Sequence, residues 1–245
     1  MYRPELNAYV SVISARRPER VQPMNELVGE ATWFVAEGEA KVYKEAGAAH
    51  VVEAGALCAA RNAALDAAFA LGKPCIELSD DAKAFKRAEL QEDNRVRAVA
   101  STFAEAVSLI ADAVWMTGAS LGGAAPTANP FYYNAKRPVH ARAFIVGDFI
   151  YVKPSPERFD ENMRLKEDYD FTLQHIQAYG TVGRADSVLA EFAHRSNAGG
   201  ACSYRTAELE QEAIAHLRSK WPGVIADNPR RPNEILLRLP RQPKS

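Results

Sequence analysis

The sequence predicts an α/β fold: an open, mostly parallel twisted sheet flanked by helices, with an added hairpin. Three observations predict it. Short β-branched or aromatic runs alternate with helix-like segments over the first eighty residues, the pattern of a doubly wound half-domain. An alanine-rich segment ends at Gly72 with Pro74 beyond, a helix followed by its stop signal. The chain has 245 residues, 47% hydrophobic and 25% charged, enough to bury a substantial core in one large domain.

The elements follow in order. Ala8 to Ser14 is short, β-branched and aromatic, a first strand, and Thr32 to Ala36 is a second. Gly38 to Ala46 reads as a short helix closed by Gly47, a residue suited to a left-handed cap. His50 to Glu53 is a third strand. Ala56 to Leu71 is the alanine-rich helix, and Pro74 to Leu78 is the strand leading into Ser79-Asp80-Asp81. Val99 to Met116 repeats apolar residues at helical spacing, and Thr117-Gly118 ends it. Gly118 to Arg137 has loop composition yet carries aromatics, which marks it as functional. Ala143 to Val146 and Phe149 to Val152 flank Gly147-Asp148 and predict a hairpin with a two-residue turn. Lys166 to Tyr179 is a helix ended by Gly180, and Arg205 to Lys220 is another, stopped by Pro222-Gly223. One domain is expected over residues 1–226, its halves dividing near 118, with a Pro- and Arg-rich, partly docked tail over 227–245.

A formal net charge of -1 gives no global pull toward nucleic acid or anionic lipid, so any polyanion contact must come from a local patch. Cys58, Cys75 and Cys202 are odd in number and widely spaced, and read as reduced structural thiols rather than a disulfide framework or zinc site. The first residues lack the apolar stretch of a signal peptide, and no run approaches the ~18 residues of a membrane span. The expected location is cytoplasmic, with no membrane partner.

The Ser79-Asp80-Asp81 motif and three further constellations carry chemistry. Ser79-Asp80-Asp81 stands at the carboxyl end of a strand, where open α/β sheets bind ligands. Adjacent hard carboxylates there suit Mg²⁺ or Mn²⁺, although acid pairs also occur on ordinary surface turns. Arg61-Asn62 lies near the start of the preceding helix, facing the same crevice. Arg61 suits a diphosphate and Asn62 a base or sugar, unless they are a surface arginine and a helix-packing asparagine. Lys166-Glu167-Asp168-Tyr169-Asp170 opens a helix, where acids are either dipole partners or, beside a metal–phosphate site, a general base. The third constellation runs from His194 to Arg205. Gly199-Gly200 gives it a hinge, Tyr204 and Arg205 follow, and His194 is either a structural histidine or a metal ligand.

Together these pieces resemble the GT-A glycosyltransferases, a Rossmann-like family that moves a sugar from a nucleotide diphosphate to an acceptor. The resemblance runs through Ser11 to Arg16, Arg61-Asn62, Ser79-Asp80-Asp81 and Glu167-Asp168, over roughly residues 8–210. It implies a donor half over about 8–118 and an acceptor half over about 119–226. Asp81 is the implied Mn²⁺ or Mg²⁺ ligand with His194, and Asp168 is the implied base with Glu167 beside it. Ser14, Arg16, Arg61, Asn62, Ser79, Asp80, Gly199, Gly200, Tyr204 and Arg205 are the implied donor contacts. Ser79 stands where the family pattern often has its first Asp.

More narrowly, Ser79-Asp80-Asp81 with Phe85, the Lys166 to Asp170 run, and Asn197 to Gly200 with Tyr204-Arg205 look like the TET-associated glycosyltransferases of bacteriophages. That resemblance implies a UDP-sugar donor and the hydroxymethyl group of 5-hydroxymethylcytosine in phage DNA as acceptor, within the host cytoplasm. Arg17, Lys136 and Arg137 are then candidate phosphate contacts, and Tyr132 or Tyr133 is the candidate for stacking on a base. The rival readings are a protein, glycan or small-molecule acceptor, or a DNA- or protein-binding phage accessory module without catalysis. A nucleotidyltransferase would need a glycine-rich loop after the first strand, and Ser14-Ala15-Arg16-Arg17-Pro18 has none. A dinucleotide dehydrogenase would need Gly-x-Gly-x-x-Gly after a strand, and none follows one.

Overall fold

The computed structural model describes residues 7–193, 205–229, 231 and 234–239. Strands β1 (Tyr9–Ile13), β2 (Thr32–Val35), β3 (His50–Glu53) and β4 (Cys75–Ser79) pair in parallel in the order β3-β2-β1-β4. The sheet continues through β9 (Phe149–Val152), β7 (Leu121–Ala124), β10 (Gly183–Ala185) and β8 (Val139–His140). Of its eight strands, β9 and β8 run against the other six.

Successive residues of a strand point to opposite faces, and the two faces of the sheet bury different helices. Val12, Trp33, Ile76 and Leu78 pack on one face with Met24 of α1 (Val21–Val28), Tyr43 of α2 (Ala40–Glu45), and Val107 and Ile110 of α4 (Phe103–Thr117). Ile13, Phe34 and Cys75 pack on the other with Ala64 and Leu65 of α3 (Leu57–Ala70) and Phe171 of α5 (Glu167–Tyr179). Each fully buried large side chain contributes about 1.5–3 kcal/mol. Small alanines along α3 let that helix lie close over β1, β2 and β4.

Several expectations need correction. The helix expected from Val99 begins at Phe103, because the Thr102 hydroxyl accepts from the Glu105 amide (3.2 Å) and the Glu105 carboxylate accepts from the Thr102 amide (2.9 Å). This reciprocal cap fixes the start of α4. The residues before it form β6 (Val96–Ser101), which pairs with β5 (Ala82–Leu90) and, through it, β11 (Val188–Phe192) in a small antiparallel sheet. The loop expected from Gly118 to Arg137 contains the buried strand β7. Its glycines serve close packing: a Cβ on Gly122 would lie 2.4 Å from the Val114 Cγ2, and one on Gly183 would lie 2.7 Å from the Val114 amide nitrogen. The hairpin expected over 143–152 does not form. Only Phe149–Val152 is a strand, and its partners are β4 and β7 rather than the residues just before it.

The chain beyond 205 adds α6 (Ala207–Lys220) and a hairpin of β12 (Ile225–Asp227) and β13 (Ile235–Leu237). Ile214, Leu217 and Ile235 form a small core with Met163, against which Tyr169 and Trp221 pack. Asp170 is fully buried and accepts from Trp221 Nε1 (2.7 Å) and Lys220 Nζ (2.9 Å), tying this module to the first turn of α5.

Candidate functional site

The strand order reverses direction of growth between β1 and β4, and ligands of open α/β sheets bind at the carboxyl ends of strands flanking such a point. Two sequence motifs meet there. Ser14, just past β1, donates from Oγ to Asp80 Oδ2 at 2.5 Å, and Arg17 donates to Asp80 Oδ1 at 2.7 Å. Ser14 has spent its one hydrogen on Asp80, so the Tyr43 hydroxyl, 2.6 Å away, donates to Ser14, while the Arg17 amide donates to Tyr43 at 3.0 Å. Arg20 closes the arrangement by donating to the backbone carbonyls of Asp80 (2.9 Å) and Ala82 (3.1 Å). Burial raises the Asp80 carboxyl above its usual range, opposed by Ser14 and Arg17. Asp80 is thus the anchor of the β1 and β4 loops. Arg17, expected on DNA, is buried in that anchor.

Asp81 differs. It is 7% exposed, and its carboxylate accepts no hydrogen bond and joins no ion pair among the described residues. Its backbone carbonyl accepts from the Ala193 amide (3.0 Å), which ties it to the end of β11. No cluster of three or more His, Cys, Asp or Glu that could hold a metal lies among the described residues. Mg²⁺ and Mn²⁺ at a nucleotide usually take one or two carboxylates and complete their shell with phosphate oxygens and water, so a single carboxylate with no partner among the described residues fits such an ion. His194, Gly199, Gly200 and Tyr204 lie outside the described residues, as does Cys202. Cys58 and Cys75 are buried free thiols.

Asp168 stands in the first turn of α5, partly buried, and accepts from the Gly147 amide (3.2 Å) and from the Tyr169 amide (3.0 Å). Burial, and next the Glu167 charge, push its carboxyl up to about 7. Ser79 connects this region to β4: its amide donates to the Asp148 carbonyl (2.9 Å) and its Oγ to Asp148 Oδ1 (3.2 Å). Asp148 also lines a cleft of about 340 Å³ whose walls include Ala124 to Ala128, Lys83, Phe149 and Phe192. Asp148 is not legible as a site residue in the sequence, where Gly147-Asp148 reads as a tight turn. An acid directly before a buried apolar strand was the available signal.

Arg61 and Asn62 are not free to face a ligand. Arg61 NH1 donates to Glu77 (2.8 Å) and to the Gly147 carbonyl (3.0 Å), with NH2 lying 3.4 Å from Glu167. Asn62 spends its amide on the 159–161 loop, donating to the Phe159 carbonyl (3.0 Å) and Glu161 (2.9 Å) and accepting from the Phe159 amide (2.8 Å). Glu77 was also missed, although a charged residue inside an apolar strand run announces a buried partner. Arg16 is exposed, with a left-handed φ of 61° and its amide bonded to Glu39 (2.8 Å). Arg205 pairs with Glu210 (3.4 Å), which also pairs with Lys166 (2.5 Å) at the cap of α5. Lys136 and Arg137 are exposed, as are Phe131 and Tyr132 at 83% and 69%, while Tyr133 is half-buried.

No protein-family model matches the chain, and a comparison with curated proteins gives no significant match. No helix among the described residues is long and apolar enough to cross a membrane.

Proposed function

We propose that this protein is a metal-dependent glycosyltransferase of the GT-A type, taking a sugar from a UDP-sugar to an acceptor hydroxyl. The observation that carries the reading is the division of labour around the β1/β4 crevice. Asp80 locks the loops, Asp81 is left free for a cation, and Asp168, with a carboxyl near neutrality, stands across Ser79 and Asp148 from them. The mostly parallel sheet, reversed only at β9 and β8, supports the same class.

A divalent ion held by Asp81 would neutralise the departing diphosphate. Asp168 removes the proton of the acceptor hydroxyl, whose oxygen forms the new bond to the anomeric carbon while the old bond to the diphosphate oxygen breaks and its electron pair leaves with UDP. A carboxyl near 7 suits a base at neutral pH, because enough is ionised and the ionised form is basic enough to accept the proton. The acceptor we assign is the hydroxymethyl group of 5-hydroxymethylcytosine in DNA. Exposed Phe131 and Tyr132, a few residues before exposed Lys136 and Arg137 in the sequence, support this, since one segment carrying both aromatic faces and cations suits stacked bases and their phosphates.

Incubating the protein with Mn²⁺, UDP-sugars and a duplex containing 5-hydroxymethylcytosine should add the mass of one sugar per modified base. Transfer to a protein, glycan or small-molecule acceptor with no change in the duplex overturns the acceptor assignment. Failure to bind any UDP-sugar overturns the class and favours a non-catalytic DNA- or protein-binding module.

A further inference from the structure

Glu77 is a misfit in β4: its strand neighbours are apolar and it is 0% exposed. A carboxylate in such a place costs several kcal/mol unless a partner meets it. Arg61 meets it from α3, and the same guanidinium reaches Gly147 and Glu167. Its planar fork makes three such contacts possible at once, and the Phe159 ring, 5.0 Å from its central carbon, backs it. Gly147 is gripped from two sides, its carbonyl accepting from Arg61 and its amide donating to Asp168 Oδ2. A Cβ on Gly147 would lie 2.8 Å from Arg61 NH2 and 3.2 Å from the Asp168 Cβ, so the absence of a side chain is what lets the three residues stack.

We propose that Arg61, anchored by Glu77 and acting through Gly147, is the positioning residue that fixes Asp168 and offsets the negative charge around it. The inference rests on the glycosyltransferase reading for what Asp168 does, and on geometry alone for how Asp168 is held. The charge count gives the device its direction. Glu77 and Glu167 share one guanidinium, and Asp148 faces Asp168 from the loop. Tyr169 is its other titratable neighbour, on its own helix, and is itself pushed up by burial. Arg61 is the cation that opposes this acidic surrounding at Asp168. Removing Arg61 therefore raises the Asp168 midpoint, and Glu77→Gln, which removes the partial charge of a carboxyl that burial pushes up to about 7, lowers it by leaving more of Arg61 to Glu167.

The test is a carbon-13 NMR titration of the Asp168 carboxyl in the full chain, assigned with Asp168→Asn. Glu77→Gln should lower the midpoint by about half a pH unit, and the double variant Arg61→Met, Glu77→Gln should raise it by about one. The double variant is used because Arg61→Met alone strands a buried acid. Gly147→Ala, which changes no charge, should cut kcat about tenfold or more with the donor KM within about twofold, the signature of a lost transition-state geometry. Midpoints within about 0.3 pH unit of wild type in both charge variants overturn the proposal, since a charge acting on Asp168 across Gly147 moves its carboxyl by more than that. Midpoints that move in a protein that transfers no sugar support the Arg61 device and overturn the reading of Asp168 as base.

Discussion

Asp80 and Asp168 stand at the same end of the sheet and are both pushed upward by burial, yet their surroundings differ in kind. Asp80 has each oxygen taken by a side-chain donor, one of them a guanidinium, and Arg20 holds its carbonyl as well. Asp168 accepts from two backbone amides, and its nearest ionised neighbours include Glu167 and Asp148. The first arrangement stabilises an ionised carboxylate as a structural clasp. The second keeps a carboxyl near its ionisation point, which is costly for stability and useful for proton transfer. Buried acids in one crevice are therefore told apart by what their oxygens are already doing.

The contrast can be broken most severely at Asp168. Asp168→Asn should lower sugar transfer by about 10²–10⁴-fold, the range for loss of a general base, while calorimetry finds donor binding unchanged. Near-normal turnover would remove Asp168 from the mechanism. On the other side, Arg17→Met strands the Asp80 carboxylate and should cost about 3–5 kcal/mol in urea unfolding, as loss of one partner of a buried pair does. A cost below about 1 kcal/mol, the scale of an exposed pair, would show that Asp80 is not a clasp.

The pH dependence sharpens the same comparison. As the proposed base Asp168 acts only when ionised, so kcat/KM should rise with pH through about 7 and level off above it. Stability runs the other way. A carboxyl near 7 in the folded chain against ~4 unfolded binds its proton more tightly when folded, so its contribution is full below about 4 and lost as pH rises through about 7. Asp168→Asn removes this group from the balance. Relative to wild type it should be more stable at pH 8 than at pH 5, by on the order of 1 kcal/mol once solvent screening at this partly exposed site is allowed for. Parallel melting curves at the two pH values would contradict the shifted carboxyl.

The two halves of the sheet were not equally legible. β1 to β4 and α3 are readable because each is a local pattern closed by a turn or cap, Gly72 and Pro74 being the plainest. β7 and β10 are hidden by Gly122 and Gly183, residues that look like loop in the sequence and are required by α4 lying directly on the strands. β9 was visible as a strand but not its partners, because β4 and β7 are both distant in sequence. In the site, the types of residue were readable and their roles were not. Arg61 looks like a phosphate ligand until Glu77 and Glu167 are seen to hold it, and Arg17 looks like a DNA contact until Asp80 does the same. That Asp81 has no side-chain partner among the described residues is a property of what its neighbours already bond, which no spacing rule records.

Asp81 has no side-chain partner among the described residues, and in the proposed glycosyltransferase it holds the cation for a diphosphate. Calorimetry of UDP binding to wild type and Asp81→Asn, each with and without Mn²⁺, tests it most directly. Wild type should bind UDP more tightly by tenfold or more when Mn²⁺ is present, about 1.4 kcal/mol, and Asp81→Asn should lose that gain while keeping its melting temperature. An equal Mn²⁺-dependent gain in the variant would contradict the account.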